Sequence, residues 1–201
     1  VPKRLSDARV KDLILKRTSW IKQKLRIQSE TVLPKPKEYV SGESFTYLGR
    51  NHRLKLIPNG EEEVKLKGGN LELGVSKTLS EADKDSFVKS SIVQWYKKHA
   101  LERLTEKSER YGRILGVNPK SITLKDYKSR WGSCSDSGKI SYNWRIIIAP
   151  HRFVDYVVVH ELCHMLEHNH SPEYWRNVKN IIPEYKKHRQ WLKENGVGLF
   201  V

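Results

Sequence analysis

The hydrophobic positions of the chain change period several times, and each change marks a new element. From Ser6 to about Gln28, Val10, Leu13, Ile14, Ile21 and Leu25 form one stripe at helical spacing while Lys and Arg fill the rest. That pattern predicts an amphipathic helix, capped by Ser6 with Asp7 beside it and with Trp20 packed near its end. Val32 to Glu38, which contains Pro34 and Pro36, reads as a connection. From Ser44 the period becomes two, in runs over 45–49, 52–57, 63–67 and 70–75 separated by Gly49-Arg-Asn, Pro58-Asn-Gly and Gly68-Gly69. Alternation with such turns predicts an antiparallel meander of about four strands.

Helical spacing returns after Ser80 and runs to about Tyr111, with Phe87, Ile92, Trp95, Ala100 and Leu104 on the inner face. Gly112 to Pro119 interrupts it. Ile122-Thr-Leu-Lys reads as a short strand, and Lys139 to Ile148 as a second one entered through Ser135-Asp-Ser-Gly138. Pro150 then opens an unusually apolar helix, and Ser171-Pro172 supplies the cap and first position of the last helices, broken near Pro183. The tail from Asn195 reads as loose. The order of elements is α+β, with an N-terminal helix and meander over 1–79 and a second region over 80–201.

The apolar helix carries the chemistry. Val157, Val158 and Val159 precede His160-Glu161-Leu-Cys-His164, and Leu162, Met165 and Leu166 lie in and after it. Histidines four residues apart share one helix face and can reach a single ion, which is the spacing used by zinc hydrolases. Glu161, next to the first ligand, is placed to take a proton from a metal-bound water. A catalytic zinc takes three protein groups and keeps the fourth place for water. His170 stands six residues after His164, the interval of the extended H-E-x-x-H motifs, although Glu167 replaces their glycine. Asn169 tolerates left-handed angles and could end the helix so that His170 swings back. His168 is the rival third ligand, but its spacing continues an outer strip of the helix. Buried polar groups need partners, and Zn2+ or another divalent cation would be one.

Composition narrows the setting. The chain has 201 residues, enough for a core without staples, and a net charge of +15. Residues 1–37 hold 11 Lys/Arg against 3 Asp/Glu. This basic excess suits a nucleic acid or another anionic partner, but a charge run is more often a solvated basic face. The two cysteines, Cys134 and Cys163, form no disulfide framework, which points to a reducing, cytoplasmic setting. No run reaches membrane-spanning length and no signal-peptide pattern opens the chain. A first residue of Val1 reads as the start of a fragment. Oligomeric state is not legible.

A second constellation lies just before the apolar helix: Ser129-Arg-Trp-Gly-Ser-Cys-Ser135 and Asn143-Trp-Arg145, flanking one hairpin. Trp131 and Trp144 suit a core wall, and Gly132 and Gly138 suit tight turns. Arg130 and Arg145 either present forks to a substrate carboxylate or phosphate, or pair with internal acids.

Together with Ala149-Pro and Asn169-His-Ser-Pro-Glu-Tyr-Trp175, these segments resemble the YgjP-like metallopeptidase-domain family, densely over about 110–190 and more loosely over 1–80. Where Tyr174 stands the family usually has Phe. More remotely the chain is similar to SprT-type proteases acting on DNA-bound proteins. The resemblance implies a zincin-like core, its metal helix packed on a small, mostly antiparallel sheet, with His160, His164 and His170 as ligands and Glu161 as base.

Three functions are consistent with these readings. The first is zinc-dependent hydrolysis of a peptide or protein, with an extended substrate pairing along the 139–148 strand and Arg130, Arg145 or Tyr174 as oxyanion or substrate contacts. The second is hydrolysis of a nucleoside triphosphate at the same metal, with Arg130 and Arg145 on the phosphates, an activity the family resemblance allows. The third is nucleic-acid binding through the basic N-terminal helix, with DNA as partner or cofactor.

Overall fold

A computed structural model describes residues 6–19, 21, 22, 26 and 35–199. The chain divides into two compact units, 1–35 and 36–201. In the first, helix α1 (Asp7–Lys16) starts as expected, with the Ser6 hydroxyl accepting from the Arg9 amide at 3.4 Å. α1 ends at Lys16, and residues 18, 19, 21, 22 and 26 are again helical. None of its residues is buried, and Leu13, Ile14 and Leu15 are exposed. Leu25 of the anticipated stripe, and Trp20, expected to pack near the helix end, lie outside the described residues.

The second unit opens with four strands, β1 (Ser44–Tyr47), β2 (Arg50–Pro58), β3 (Lys65–Lys67) and β4 (Asn70–Val75), in the order β1-β2-β4-β3. Two hairpins are present as expected. Their tips, Leu48-Gly49 and Gly68-Gly69, take positive φ at both positions, the turn that matches strand twist. The meander is corrected, however, because β2 and β4 run parallel. The link between the hairpins crosses the end of β4 and delivers β3 to its far side. Gly74 allows this crossing: a Cβ there would stand 2.1 Å from the Gly60 carbonyl carbon. Leu54, Leu71 and Leu73 are buried.

Helix α2 (Glu81–Leu115) is the spine. Ser80 caps its first turn through the Asp83 amide, and Gly116 in the left-handed region ends it one turn later than expected. Its inner face buries Val88, Ile92, Trp95, Tyr96, Ala100 and Leu104, while Phe87 is half-buried. Tyr96 donates to the Thr46 carbonyl at 2.8 Å and so holds the first sheet to the helix.

A second mixed sheet follows, from β5 (Ser121–Lys125), β6 (Gly132–Cys134) and β7 (Lys139–Asn143) in the order β5-β7-β6. β5 runs parallel to β7 and β6 antiparallel to it, so the sheet beside the metal helix is mixed, with one pair of each kind. The expected strand over 139–148 stops at Asn143. Its side-chain oxygen accepts from the Arg145 amide at 3.1 Å and starts a 3₁₀ segment, Trp144–Ile148. The Asn143 side-chain nitrogen donates to the carbonyls of Tyr127 (2.9 Å) and Arg130 (3.3 Å), which fixes the loop before β6.

Helix α3 (His151–Cys163) enters after Pro150 and packs on α2, α4 (Pro172–Ile181), α5 (Tyr185–Asn195) and β6. The first sheet braces its start, because Leu48 and Gly49 donate to the carbonyls of Ile147 and Ile148 and Gly49 lies against Pro150. Lys107 of α2 and Asp155 of α3 pair at 2.6 Å. The tail is not loose as far as it is described. After a 3₁₀ turn at Gly196–Gly198, Leu199 is buried, and Gly196 lies against the Trp131 indole.

Candidate metal centre

Helix α3 is almost wholly buried from Tyr156 to Cys163, so the polar groups near its C-terminal end must find partners inside the protein. His160 and His164 face the same way, their ring centroids 5.1 Å apart. The helix ends sooner than expected. Cys163 is its last residue, His164 occupies the cap, and Leu166 is exposed. Tight turns from Met165, Leu166 and Glu167 back to Leu162 and Cys163 close it. Asn169 plays no left-handed role, since positive φ does not occur between Cys163 and Ser171. The short return to Ser171, which caps α4 through the Tyr174 amide at 3.1 Å, carries His170 back over the helix end.

His170 then lies 5.2 Å from His160 and 4.8 Å from His164, centroid to centroid. One ring nitrogen from each histidine falls within 4.8 Å of the others. His164 Nδ1 sits 3.2 Å from the Glu167 carbonyl, so as a donor there it leaves Nε2 with the lone pair. The Nε2 atoms of His160 and His170 are 3.4 Å apart. Burial and mutual repulsion hold His160 well below its ordinary value, to about 3, and burial lowers His164 and His170 as well. Neutral imidazoles with converging lone pairs are the donor set of zinc, so the residues present fit that ion. His168 is elsewhere, exposed and 3.7 Å from Asp136.

Glu161 is 5 % exposed, and burial raises its carboxyl to about 8 against the opposing pull of Arg130. Strand β6 passes directly over it. A Cβ on Gly132 would stand 2.6 Å from the carboxylate oxygen, so this glycine is a clearance for Glu161 and not a turn residue. His160 and Glu161 line a cleft of about 860 Å³ walled by the 126–132 loop, the end of β7, α5 and the C-terminal turn.

The YgjP-like, metallopeptidase domain family matches residues 1–195. The chain belongs to this family. Membership makes it a metal-dependent hydrolase of the metallopeptidase class, with a catalytic metal that is typically zinc and substrates that are peptides or proteins. Two solved metallopeptidase zymogens resemble part of it. Abylysin of Pyrococcus abyssi is 22% identical, over 45% of this chain and 93% of that one, with a TM-score of 0.41. Jannalysin of Methanocaldococcus jannaschii is 17% identical, over 46% and 95%, with a TM-score of 0.42. No curated protein matches. Among the described residues, no helix is long and apolar enough to cross a membrane.

Around this YgjP-like centre the remaining candidates separate. Tyr174 is withdrawn as a substrate or oxyanion contact. It is wholly buried, its hydroxyl donates to the His160 carbonyl at 2.9 Å, and its ring packs 4.6 Å from His164. Arg145 lines the cleft but pairs with Asp126 and lies 4.4 Å over Trp144, so the internal reading of this arginine applies. Arg130 is exposed, lines the cleft near Glu161 and lies 5.6 Å over the Tyr127 ring. The two sheet edges of β7 are taken by β5 and β6, so strand 139–148 offers no edge to a substrate. Nucleoside triphosphate and nucleic acid gain no support from family membership. Sequence reasoning missed Arg189 of α5, which lines the cleft and bears electrostatically on His160 and His170. It sits in a polar helix with no motif, so no sequence signal marked it.

Proposed function

We propose that the protein is a zinc-dependent peptidase in which His160, His164 and His170 hold the metal and Glu161 is the general base. The observation that carries this is the convergence of three imidazoles, one ring nitrogen of each within 4.8 Å of the others, beside a buried carboxyl group at the wall of a cleft. Zinc held there would supply a Lewis acid for the scissile carbonyl and would lower the pKa of the attacking water. Glu161 accepts a proton from the attacking water and delivers it to the leaving amine. Burial holds the Glu161 carboxyl above its ordinary value, and Arg130 opposes that shift. Strand β6 pairs only with β7 among the described strands, and Gly132 lines the cleft, so an extended peptide can add to its outer edge.

The test is metal analysis followed by hydrolysis of unfolded casein and of a nucleotide panel. His164→Ala should lose the metal, and Glu161→Gln should keep it while losing casein hydrolysis. A chelator should silence the wild type, and zinc should restore it. Equal metal content in wild type and His164→Ala would overturn the ligand set, and turnover of nucleotides without casein would overturn the substrate class.

A further inference from the structure

The cleft beside the metal centre is strongly one-signed. Lys128, Arg130, Arg189 and Lys193 line it, and none of the four has an ion pair among the described residues. The acids on the same walls are Asp126, committed to Arg145, and Glu161. Unpaired cations facing into a concavity focus a positive potential on whatever enters it.

Arg189 is also held in place. Its guanidinium lies 5.2 Å over the Trp175 ring. Trp175 in turn stacks on His170 on one hand (5.2 Å, 19°) and on Tyr185 on the other (5.0 Å, 16°). An arginine on an aromatic face loses little further freedom on meeting an anion, and its fork matches a carboxylate. The stack ties that fork to the third histidine. Arg130, from the 126–132 loop, also lines the cleft, lies over the Tyr127 ring and bears electrostatically on Glu161. The cleft beside the reaction centre therefore carries two guanidinium groups, each over an aromatic ring and neither in an ion pair among the described residues. Between them the cleft offers apolar surface from Trp131, Val157 and Leu192.

We propose that the cleft selects peptides that carry a carboxylate close to the scissile bond, with Arg189 and Arg130 as the docking cations. The carboxylate is that of an acidic side chain or of a free C-terminus. The inference rests on the peptidase reading above, but it concerns recognition and is measured by binding.

The experiment uses the zinc-loaded full chain with Glu161→Gln, which binds without turnover, and three labelled peptides of one sequence frame. One has internal Glu residues and an amidated C-terminus, one is neutral with a free C-terminus, and one is neutral and amidated. Fluorescence anisotropy should show at least one carboxylate peptide binding about tenfold tighter than the neutral amidated one, the size of one charge-assisted contact. Which of the two it is identifies the source of the carboxylate. The preference should shrink as ionic strength rises and fall toward parity on adding Arg189→Gln, with Arg130→Gln as the second variant. Equal binding of all three peptides, or a preference that survives both substitutions, would overturn the proposal. So would displacement of the peptide by a nucleoside triphosphate at concentrations below the peptide's own Kd. Carboxylate-selective binding with no cleavage by wild type would sink the peptidase reading and leave this one standing. Equal cleavage of acidic and neutral peptides would do the reverse.

Discussion

The two sheets of the larger unit share a plan and use it differently. Each contains one parallel pair, which the first flanks with an antiparallel strand on both sides and the second with one antiparallel strand on β7. In the first, Phe45, Leu54, Leu71 and Leu73 are buried against the rest of the core. In the second, β7 contributes Ile140 and Tyr142 to that core, but β6 is Gly-Ser-Cys, half-buried throughout. Apolar volume is given up where the sheet meets α3. Gly132 clears space for the Glu161 carboxylate, and Asn143 spends its side chain on three backbone groups of the neighbouring loop and turn. The first sheet therefore supplies stability and orients the start of α3, while the second supplies proximity. Substitutions should separate the two contributions.

The largest effect is expected in the first sheet. Leu73 is fully buried in β4, so Leu73→Ala loses transfer free energy and leaves a cavity, together about 3 kcal/mol. Chemical denaturation should record that loss, while metal content and kcat/KM at low temperature stay near wild type. A parallel collapse of activity would mean that the sheets are not separable.

Next comes Gly132→Ala in the second sheet. The added methyl cannot coexist with the Glu161 carboxylate at 2.6 Å, so strand or carboxylate must shift. A displacement of about 1 Å at a catalytic base costs on the order of 100-fold in rate. Steady-state kinetics should show the loss mainly in kcat, with the denaturation midpoint little changed. Retention of full activity would show that β6 moves freely and that Glu161 is not held by it.

Much of the first sheet was legible because its signals are local. Alternation marks strands, and Gly-containing turns mark hairpins. The parallel pairing was not legible, since it depends on how Gly60 and Gly74 nest across the link, a tertiary contact with no periodic trace. At the site, the His160, Glu161 and His164 spacing is helical geometry and could be read directly. The route of His170 could not, because the helix end is set by hydrogen bonds of its closing turns and not by Asn169. Asn143 ended a strand that β propensity alone would have carried to Ile148. Gly132 was misread as a turn residue because only the folded chain reveals what passes over it.

The smallest effect tests the boundary between the two regions. Tyr174 lies behind the histidines, where its hydroxyl donates to the carbonyl of His160. Carbonyls in the last turn of a helix lack an amide ahead of them, so this donor closes one such gap for α3. Tyr174→Phe keeps the ring that packs on His164 and removes only the hydroxyl, which should cost about 1 kcal/mol for an orphaned carbonyl. Thermal unfolding with and without zinc reads it. If the helix end is held mainly by packing, the decrement should be similar in both conditions, because the histidine positions barely change. A loss larger than that of Leu73→Ala, or one confined to the zinc-loaded protein, would instead mean that this one hydrogen bond sets the geometry of the histidines. The rigidity of the site would then come from α4 and not from the apolar core beneath α3.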